Sequence, residues 1–419
     1  MRTILLMIPH EIAGIPVFGF GWFLMIVAAG LAVRLVVLSR SKQSLSDWLA
    51  TESMMWVLIA GVVTFLLPAV ELKNVDGDPA GMAIRGYGVM LVLAVVSSVA
   101  LAAYRAKSRG INPEWIYSLA PWVLVGGILG ARLFYVIQYR HTFIGDSIFQ
   151  TVTNMLKFTE GGLVVYGSFI GGFVAAIFFL VRNGLSITKM GDIIVPCMFL
   201  GLCLGRIGCL MNGCCYGGRC DDHWTAIRFP PGSMVYKEQL FDGSLLGMEI
   251  DPSTRRIEQV RSGSLADEAG IEPGQLLQRM SFDDRSLADT PRDVPAEYVR
   301  HGIVAQVGER VYRWSPEQLP PRALTVRPAQ IISSVSALGL CLLLCGLSIY
   351  PLRDGTVMLL GFAGYAVLRY ALEQVRVDEQ GQFGTALSIS QWVSILVLIG
   401  SVLGLGWMYL RPSAAAKSA

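Results

Sequence analysis

The chemistry-bearing residues of this chain are charges in places where charge is expensive. Arg206 ends a long apolar run, in Leu204-Gly205-Arg206-Ile207-Gly208-Cys209-Leu210-Met211-Asn212-Gly213-Cys214-Cys215-Tyr216-Gly217, just before a large polar insert. Arg369 lies inside a second apolar run, with Glu373 four residues on and Arg376 three beyond that. An intramembrane arginine needs an anionic or polar receiver and by default marks a functional pathway. The plain structural reading of Arg369 is an ion pair with Glu373, which shares its helix face at i+4, and such a pair also lets Glu373 orient the guanidinium. For Arg206 the plain reading is a helix-end side chain snorkelling to the interface. Arg376 reads equally as an anion attractor or a second snorkelling arginine. Gly205 and Gly208 flank Arg206 and permit close approach of a helix or a ligand.

The same stretch holds a second candidate chemistry. Cys209, Cys214, Cys215 and Cys220 are separated by four, no and four residues, unlike the C-x2-C pairs of zinc and iron–sulfur sites. On an oxidising exterior a disulfide of Cys214 or Cys215 with Cys220 is favoured over metal, unmodified thiols stay open, and no metal site is expected. Cys197, Cys203, Cys341 and Cys345 fall in apolar runs and read as small buried hydrophobes.

The elements that must carry these residues are membrane helices. The chain has 419 residues, 53% hydrophobic and 16% charged, where a soluble domain carries about a quarter charged. A net charge of +3 gives no case for a nucleic-acid partner. Nine runs approach the roughly 17–25 residues of a spanning helix: 17–38, 51–70, 85–104, 116–137, 162–182, 190–211, 329–350, 355–374 and 389–410. The first is long for a signal-peptide core and lacks a convincing cleavage site, so it reads as a retained helix. Arg40, Lys42, Arg105, Lys107, Arg109, Arg182, Lys189, Arg353, Arg411 and Lys417 fall on one side if the runs alternate, while Glu71, Asp76, Asp78, the loop around Asp146 and the insert fall on the other. The positive-inside rule then places the N-terminus and insert outside and the C-terminus in the cytoplasm.

The arginine stretch resembles the signature of the prolipoprotein diacylglyceryl transferase family, G-R-x-G-N-F-x-N-x-E-x-x-G. Gly205, Arg206, Gly208, Asn212 and Gly217 fit, while Cys209, Leu210 and Cys214 replace its Asn, Phe and Glu. Further segments follow the family in order. Arg85-Gly86-Tyr87-Gly88 resembles the R-x-Y-G that opens the seven-helix core, and Gly130-Ala131-Arg132-Leu133-Phe134-Tyr135 resembles the G-x-R-x-x-Y element. Gly161-Gly162-Leu163-Val164-Val165-Tyr166-Gly167 resembles G-G-x-x-x-H-G, with Tyr166 for histidine. Trp224 to Pro230, Arg327-Pro328-Ala329-Gln330, the Arg369-to-Arg376 ladder and Ser388-Ile389-Ser390-Gln391 resemble the later elements. The insert looks like a PDZ domain, on Leu246-Gly247-Met248-Glu249-Ile250 and on Gly263-Ser264-Leu265-Ala266-Asp267-Glu268-Ala269-Gly270-Ile271-Glu272-Pro273-Gly274. Such domains take a peptide's C-terminal carboxylate on backbone N–H groups.

The resemblance implies an all-α polytopic membrane bundle of about nine transmembrane helices, carrying an inserted periplasmic β-rich PDZ-like module. The organisation is two extra N-terminal helices (1–80), a transferase core (81–236 and 323–412), the insert (237–322) and a cytoplasmic tail (413–419). It further implies a bacterial inner-membrane enzyme that moves the diacylglyceryl group of phosphatidylglycerol to the lipobox cysteine of prolipoproteins, without a cofactor. The phosphate calls for arginine forks, assigned to Arg206 and Arg369. Tyr87, Tyr166 and Glu373 complete the catalytic candidates, and Asn212, Gly205, Gly208, Gly217, Arg132 and Arg376 the lipid-binding ones. Tyrosine, with an ordinary pKa of about 10, is a poor base, so the thiol proton goes to Glu160, Glu373 or water, or the thiol ionises beside an arginine. A catalytically inactive lipid-binding relative and an anion or lipid transporter are the alternative readings.

Overall fold

The computed structural model describes residues 4–40, 52–143, 147–156, 164–283, 295, 299–376, 385 and 387–410. Glu160, Asp146, Lys42, Arg411 and Lys417 lie outside them. In chain order the first elements are β1 (Ile4–Ile8), β2 (Glu11–Ile12), β3 (Ile15–Pro16), α1 (Trp22–Arg40) and α2 (Ser53–Gly61). A π turn, Val62–Leu66, leads from α2 into α3 (Leu67–Val70), then β4 (Leu72–Lys73), β5 (Pro79–Arg85), α4 (Gly86–Ser108), α5 (Glu114–Gln138) and α6 (Ile148–Leu156). Next come α7 (Val165–Arg182), α8 (Ile187–Asn212), α9 (Met234–Phe241), β6 (Met248–Ile250), β7 (Ile257–Val260), α10 (Leu265–Glu268), β8 (Leu277–Asp283), β9 (Gly302–Val307) and β10 (Arg310–Trp314). The chain closes with α11 (Ala329–Leu347), α12 (Thr356–Glu373) and α13 (Ile389–Leu410).

Seven of the described helices are both long and apolar enough to cross a membrane, and two more, Met55–Val70 and Tyr166–Arg182, are apolar but shorter. Large apolar side chains stand exposed along them (Val92, Phe173, Leu342 and Leu403 among others), which in water would be a liability and in lipid is the expected surface. Of the nine expected spans, seven are long helices among the described residues and the runs at 51–70 and 162–182 hold the two shorter ones. Pro68 has no N–H to return to Thr64, and the helical ladder slips into the π turn just before it.

The chain divides into two compact units, the first formed by Met1–Val89 and Gly208–Pro328. In it β1, β5 and β4 make an antiparallel sheet, so the N-terminus is more than two added helices. Arg85, expected to start a helix, pairs with Ile4 as the last residue of β5. The polar module has a three-stranded antiparallel sheet, β8–β9–β10, and a separate β6–β7 hairpin. These small sheets do not by themselves establish a PDZ domain. Its buried core runs from Phe229, Val235 and Tyr236 through Leu246, Ile257 and Ile303 to Ala323 and Val326. The folded body therefore reaches beyond 237–322 at both ends, because the Ile227 and Val326 backbones pair and carry their neighbours inward.

The second unit is Met90–Ile207 and Ala329–Ala419. Its tightest contact is between α5 and α7, where Gly126 and Gly130 meet Gly167 and Gly171. A Cβ on Gly171 would lie 2.2 Å from the Gly126 oxygen, and one on Gly130 would lie 2.4 Å from the Gly167 oxygen. Only glycine lets the two backbones touch in this small-xxx-small manner. A second junction is polar. Pro196 leaves the Asp192 carbonyl without its helical donor, and Arg105 supplies one through Nη2 at 2.8 Å while its Nε reaches the Ile193 carbonyl at 3.1 Å. The Asp192 carboxylate then caps α12, accepting from the N–H groups of Gly355 and Met358, each at 2.7 Å. Arg105, a basic residue after an apolar run in the sequence, is a buried brace in the structure. Asp192→Ala strands two helix-terminal donors and is expected to destabilise the protein by about 1–3 kcal/mol. The drop should appear as a lower thermal midpoint in detergent, and an unchanged midpoint would refute this capping role.

Candidate functional site

Tertiary packing joins four side chains of the second unit into one polar chain. Arg369 and Glu373, one turn apart on α12, form the ion pair anticipated from their spacing, and both side chains are largely buried. The second terminal nitrogen of Arg369, Nη2, donates to Ser390 Oγ at 2.7 Å. Ser390 Oγ also lies 2.9 Å from the hydroxyl of Tyr166 on α7. The line Glu373–Arg369–Ser390–Tyr166 thus links three helices and emerges at a tyrosine that is 42% exposed.

The register of Ser390 has a local cause. Ser388 is the N-cap of α13: its Oγ accepts from the Gln391 N–H at 3.3 Å, while Gln391 Oε1 accepts from the Ser388 N–H at 3.0 Å. This reciprocal capping box sets the first turn of α13 and with it Ser390. The sequence marked the S-x-x-Q element but did not single out Ser390. Its signal was a hydroxyl within that element; its partners are 21 and 224 residues away.

Arg206, late in α8, is partly buried, and its Nε–H meets no acceptor among the described residues. A buried donor in that state is costly unless an acceptor comes to it. Gly205 beside it has nothing within 4 Å of where a Cβ would stand, so packing does not demand glycine there. Arg132 is differently employed. It donates to the carbonyls of Met155 (2.9 Å) and Asn154 (3.2 Å) at the end of α6, and its guanidinium stacks on Tyr135 and Phe143. Arg376 follows α12, its N–H bonded to the Glu373 carbonyl at 3.2 Å.

The remaining candidates belong to the first unit. Tyr87 is the second residue of α4 and 41% exposed. Gly86 before it packs against Met211, whose Cε would lie 2.4 Å from a Cβ at that position. Asn212 ends α8, its Nδ2 3.6 Å from the Met234 sulfur. Gly208 and Gly217 are buried. The loop after Asn212 is pinned by hydrogen bonds from Gly217 N–H to the Arg327 carbonyl and from Arg327 N–H to the Gly218 carbonyl, both 3.0 Å. Tyr216 donates to Glu238, and burial together with that carboxylate pushes its phenol above the ordinary tyrosine range. All eight cysteines are thiols. The anticipated pairing with Cys220 is not formed; the sulfurs that converge are those of Cys209, Cys214 and Cys215.

The family model described as prolipoprotein diacylglyceryl transferase matches residues 79–407. A phosphatidylglycerol–prolipoprotein diacylglyceryl transferase of Rhodopirellula baltica is 43% identical over 97% of this chain and 89% of its own length. Transferases of the same name in Clostridium tetani and Gloeobacter violaceus are 36% and 30% identical, over 35% and 37% of this chain and 56% and 58% of their own.

Proposed function

The chain belongs to the prolipoprotein diacylglyceryl transferase family, and from that premise we propose that Arg369 and Arg206 hold the phosphate of phosphatidylglycerol while its diacylglyceryl group is transferred. The protein is a multi-pass inner-membrane transferase whose substrates are phosphatidylglycerol and bacterial prolipoproteins. The prolipoprotein's cysteine sulfur forms a bond to a glyceryl carbon, the carbon–oxygen bond to phosphate breaks, and glycerol phosphate departs as the thiol proton is lost. Negative charge grows on that phosphate, so fixed donors aimed at it lower the barrier.

The polar chain that holds Arg369 between Glu373 and Ser390 is the observation that supports this reading best. Glu373 and Ser390 hold the guanidinium, which fits it for a bidentate anion. In this reading Glu373 is a positioning residue, Tyr166 hands a hydrogen bond through Ser390, and Arg132 braces α5 against the end of α6. The Nε–H of Arg206, which meets no acceptor among the described residues, supplies a second donor. Tyr87, Asn212, Gly205, Gly208, Gly217 and Arg376 carry roles that the family resemblance alone assigns.

The proposed topology puts the N-terminus and the polar module outside, with the basic loops in the cytoplasm. A PDZ-like role for the module is supported by the Leu246-Gly247 turn, where Gly247 has φ +90°. A cavity of about 150 Å³ adjoins that turn and is lined by Gly247, Met248, Arg219 and Arg261. Arg261 there suits a peptide's terminal carboxylate, whereas Arg219 is paired with Asp242 at 2.7 Å and Glu249 also lines the cavity.

The test is transfer from labelled phosphatidylglycerol to a lipobox peptide by the purified wild type and by Arg206→Ala. Activity in the wild type and a loss of about 10²–10³-fold in the variant is expected, the scale of removing one transition-state donor. A folded wild type that binds the lipid but never modifies the peptide would overturn the assignment in favour of a lipid-binding relative.

A further inference from the structure

The thiol cluster at the end of α8 is not used by the transfer chemistry above. Cys209, Cys214 and Cys215 hold their sulfur atoms within 4.8 Å of one another. The backbone is bent to bring them there. The carbonyl of Cys209 accepts from the N–H groups of both Gly213 (2.9 Å) and Cys214 (3.1 Å), which closes the helix. Gly213 then turns with φ +72° and Cys215 with φ +57°. The left-handed turn at Gly213 is open only to glycine, since a Cβ would stand 2.7 Å from that of Ser233. Cys215 is not glycine, and a cysteine kept in that region is a locally strained residue of the kind that gathers at functional sites. The loop is held from outside as well, by Val235 N–H on the Gly213 carbonyl at 3.1 Å and by the Gly217–Arg327 pairing. The Asn212 amide borders the group, reaching Met234 and the Cys214 side chain.

We infer that Cys209, Cys214 and Cys215 form a three-thiolate site for a soft d10 metal ion, zinc in the first place. Zinc–sulfur bonds of about 2.3 Å set tetrahedral sulfurs about 3.8 Å apart, so side-chain rotation of the order of an ångström completes the triangle. Thiolate donors select zinc or monovalent copper over hard cations. Three protein ligands leave one position for water. The ion would fasten the last turn of α8 to the loop carrying Gly217, with the Asn212 amide as an outer hydrogen-bond partner. Linear spacing concealed the site: a C-x4-C-C pattern matches no common zinc signature, and only the two left-handed residues bring the sulfurs together.

Cobalt titration of the full-length protein, purified in detergent with reductant and stripped with chelator, tests this without reference to activity. The expected result is about one equivalent of cobalt per chain, on the one-ion geometry above, with thiolate-to-metal charge-transfer absorption displaced by zinc. Cys209→Ser and Cys214→Ser should abolish the band, and Cys220→Ser and Cys345→Ser should leave it. Zinc should also raise the thermal midpoint of the wild type, a reading that needs no variant. Absence of the band in folded, reduced wild type would overturn the inference. So would a band that survives in both variants, or thiol counting that finds two of the three sulfurs joined in protein isolated without reductant.

Discussion

Arg369→Ala is expected to reduce diacylglyceryl transfer to a lipobox peptide by at least about 10²–10³-fold, because it removes a donor fork aimed at the departing phosphate. Lysine should restore little of the loss: an ammonium cannot hold Glu373 and Ser390 while presenting a planar pair of N–H groups to phosphate. The alanine variant also leaves Glu373 buried without its cation, a change that destabilises by about 3–5 kcal/mol in comparable pairs. Lost activity could then reflect lost folding. Ser390→Ala separates the two effects, since the ion pair stays intact while the outer hydrogen bonds to Arg369 and Tyr166 disappear. Its expected stability change is about 1 kcal/mol, with transfer falling by about fivefold, the rate equivalent of a barrier change of that size. Steady-state transfer read beside thermal unfolding decides the matter. Full activity in a folded Arg369→Ala would remove this residue from the phosphate site.

Gly171→Leu should separate α5 from α7 and lower the thermal midpoint more than any surface change. The added Cβ alone would sit 2.2 Å from the Gly126 oxygen and 2.8 Å from the Gly130 Cα. Backbone atoms cannot swing aside as side chains do, so the helices must part. Overpacking of this kind costs about 1–3 kcal/mol and at times more. Tyr166 stands on α7, so its hydrogen bond to Ser390 should be lost with the helix contact and transfer should decline with it. Gly205→Ala is the matched control, because nothing lies within 4 Å of its added carbon. It should leave the midpoint unchanged even if transfer falls. Equal midpoints for wild type and Gly171→Leu would show that the close α5–α7 approach contributes nothing to stability.

Much of this protein is written locally. Long apolar runs announce spanning helices because every backbone polar group in lipid must be satisfied within the segment itself, and seven of the nine runs became long helices. The Arg369–Glu373 pair was legible for the same reason, since i and i+4 are neighbours on any helix. The capping box at Ser388 and Gln391 is likewise local, with only two residues between its partners.

What depends on distant partners was not legible. Ser390 joins Arg369 to Tyr166 only once α7, α12 and α13 have packed. Arg105 looked like one of many cytoplasmic charges until Pro196, on another helix, exposed the carbonyl that it fills. The sheet that ties Ile4 to Arg85 pairs strands about eighty residues apart, a register no local periodicity encodes. Family, apolar elements and the positions of the arginines all follow from the order of residues along the chain. Which hydroxyl or carbonyl an arginine meets is settled by packing, because the contacts Arg369–Ser390, Ser390–Tyr166 and Arg105–Asp192 are made across helices.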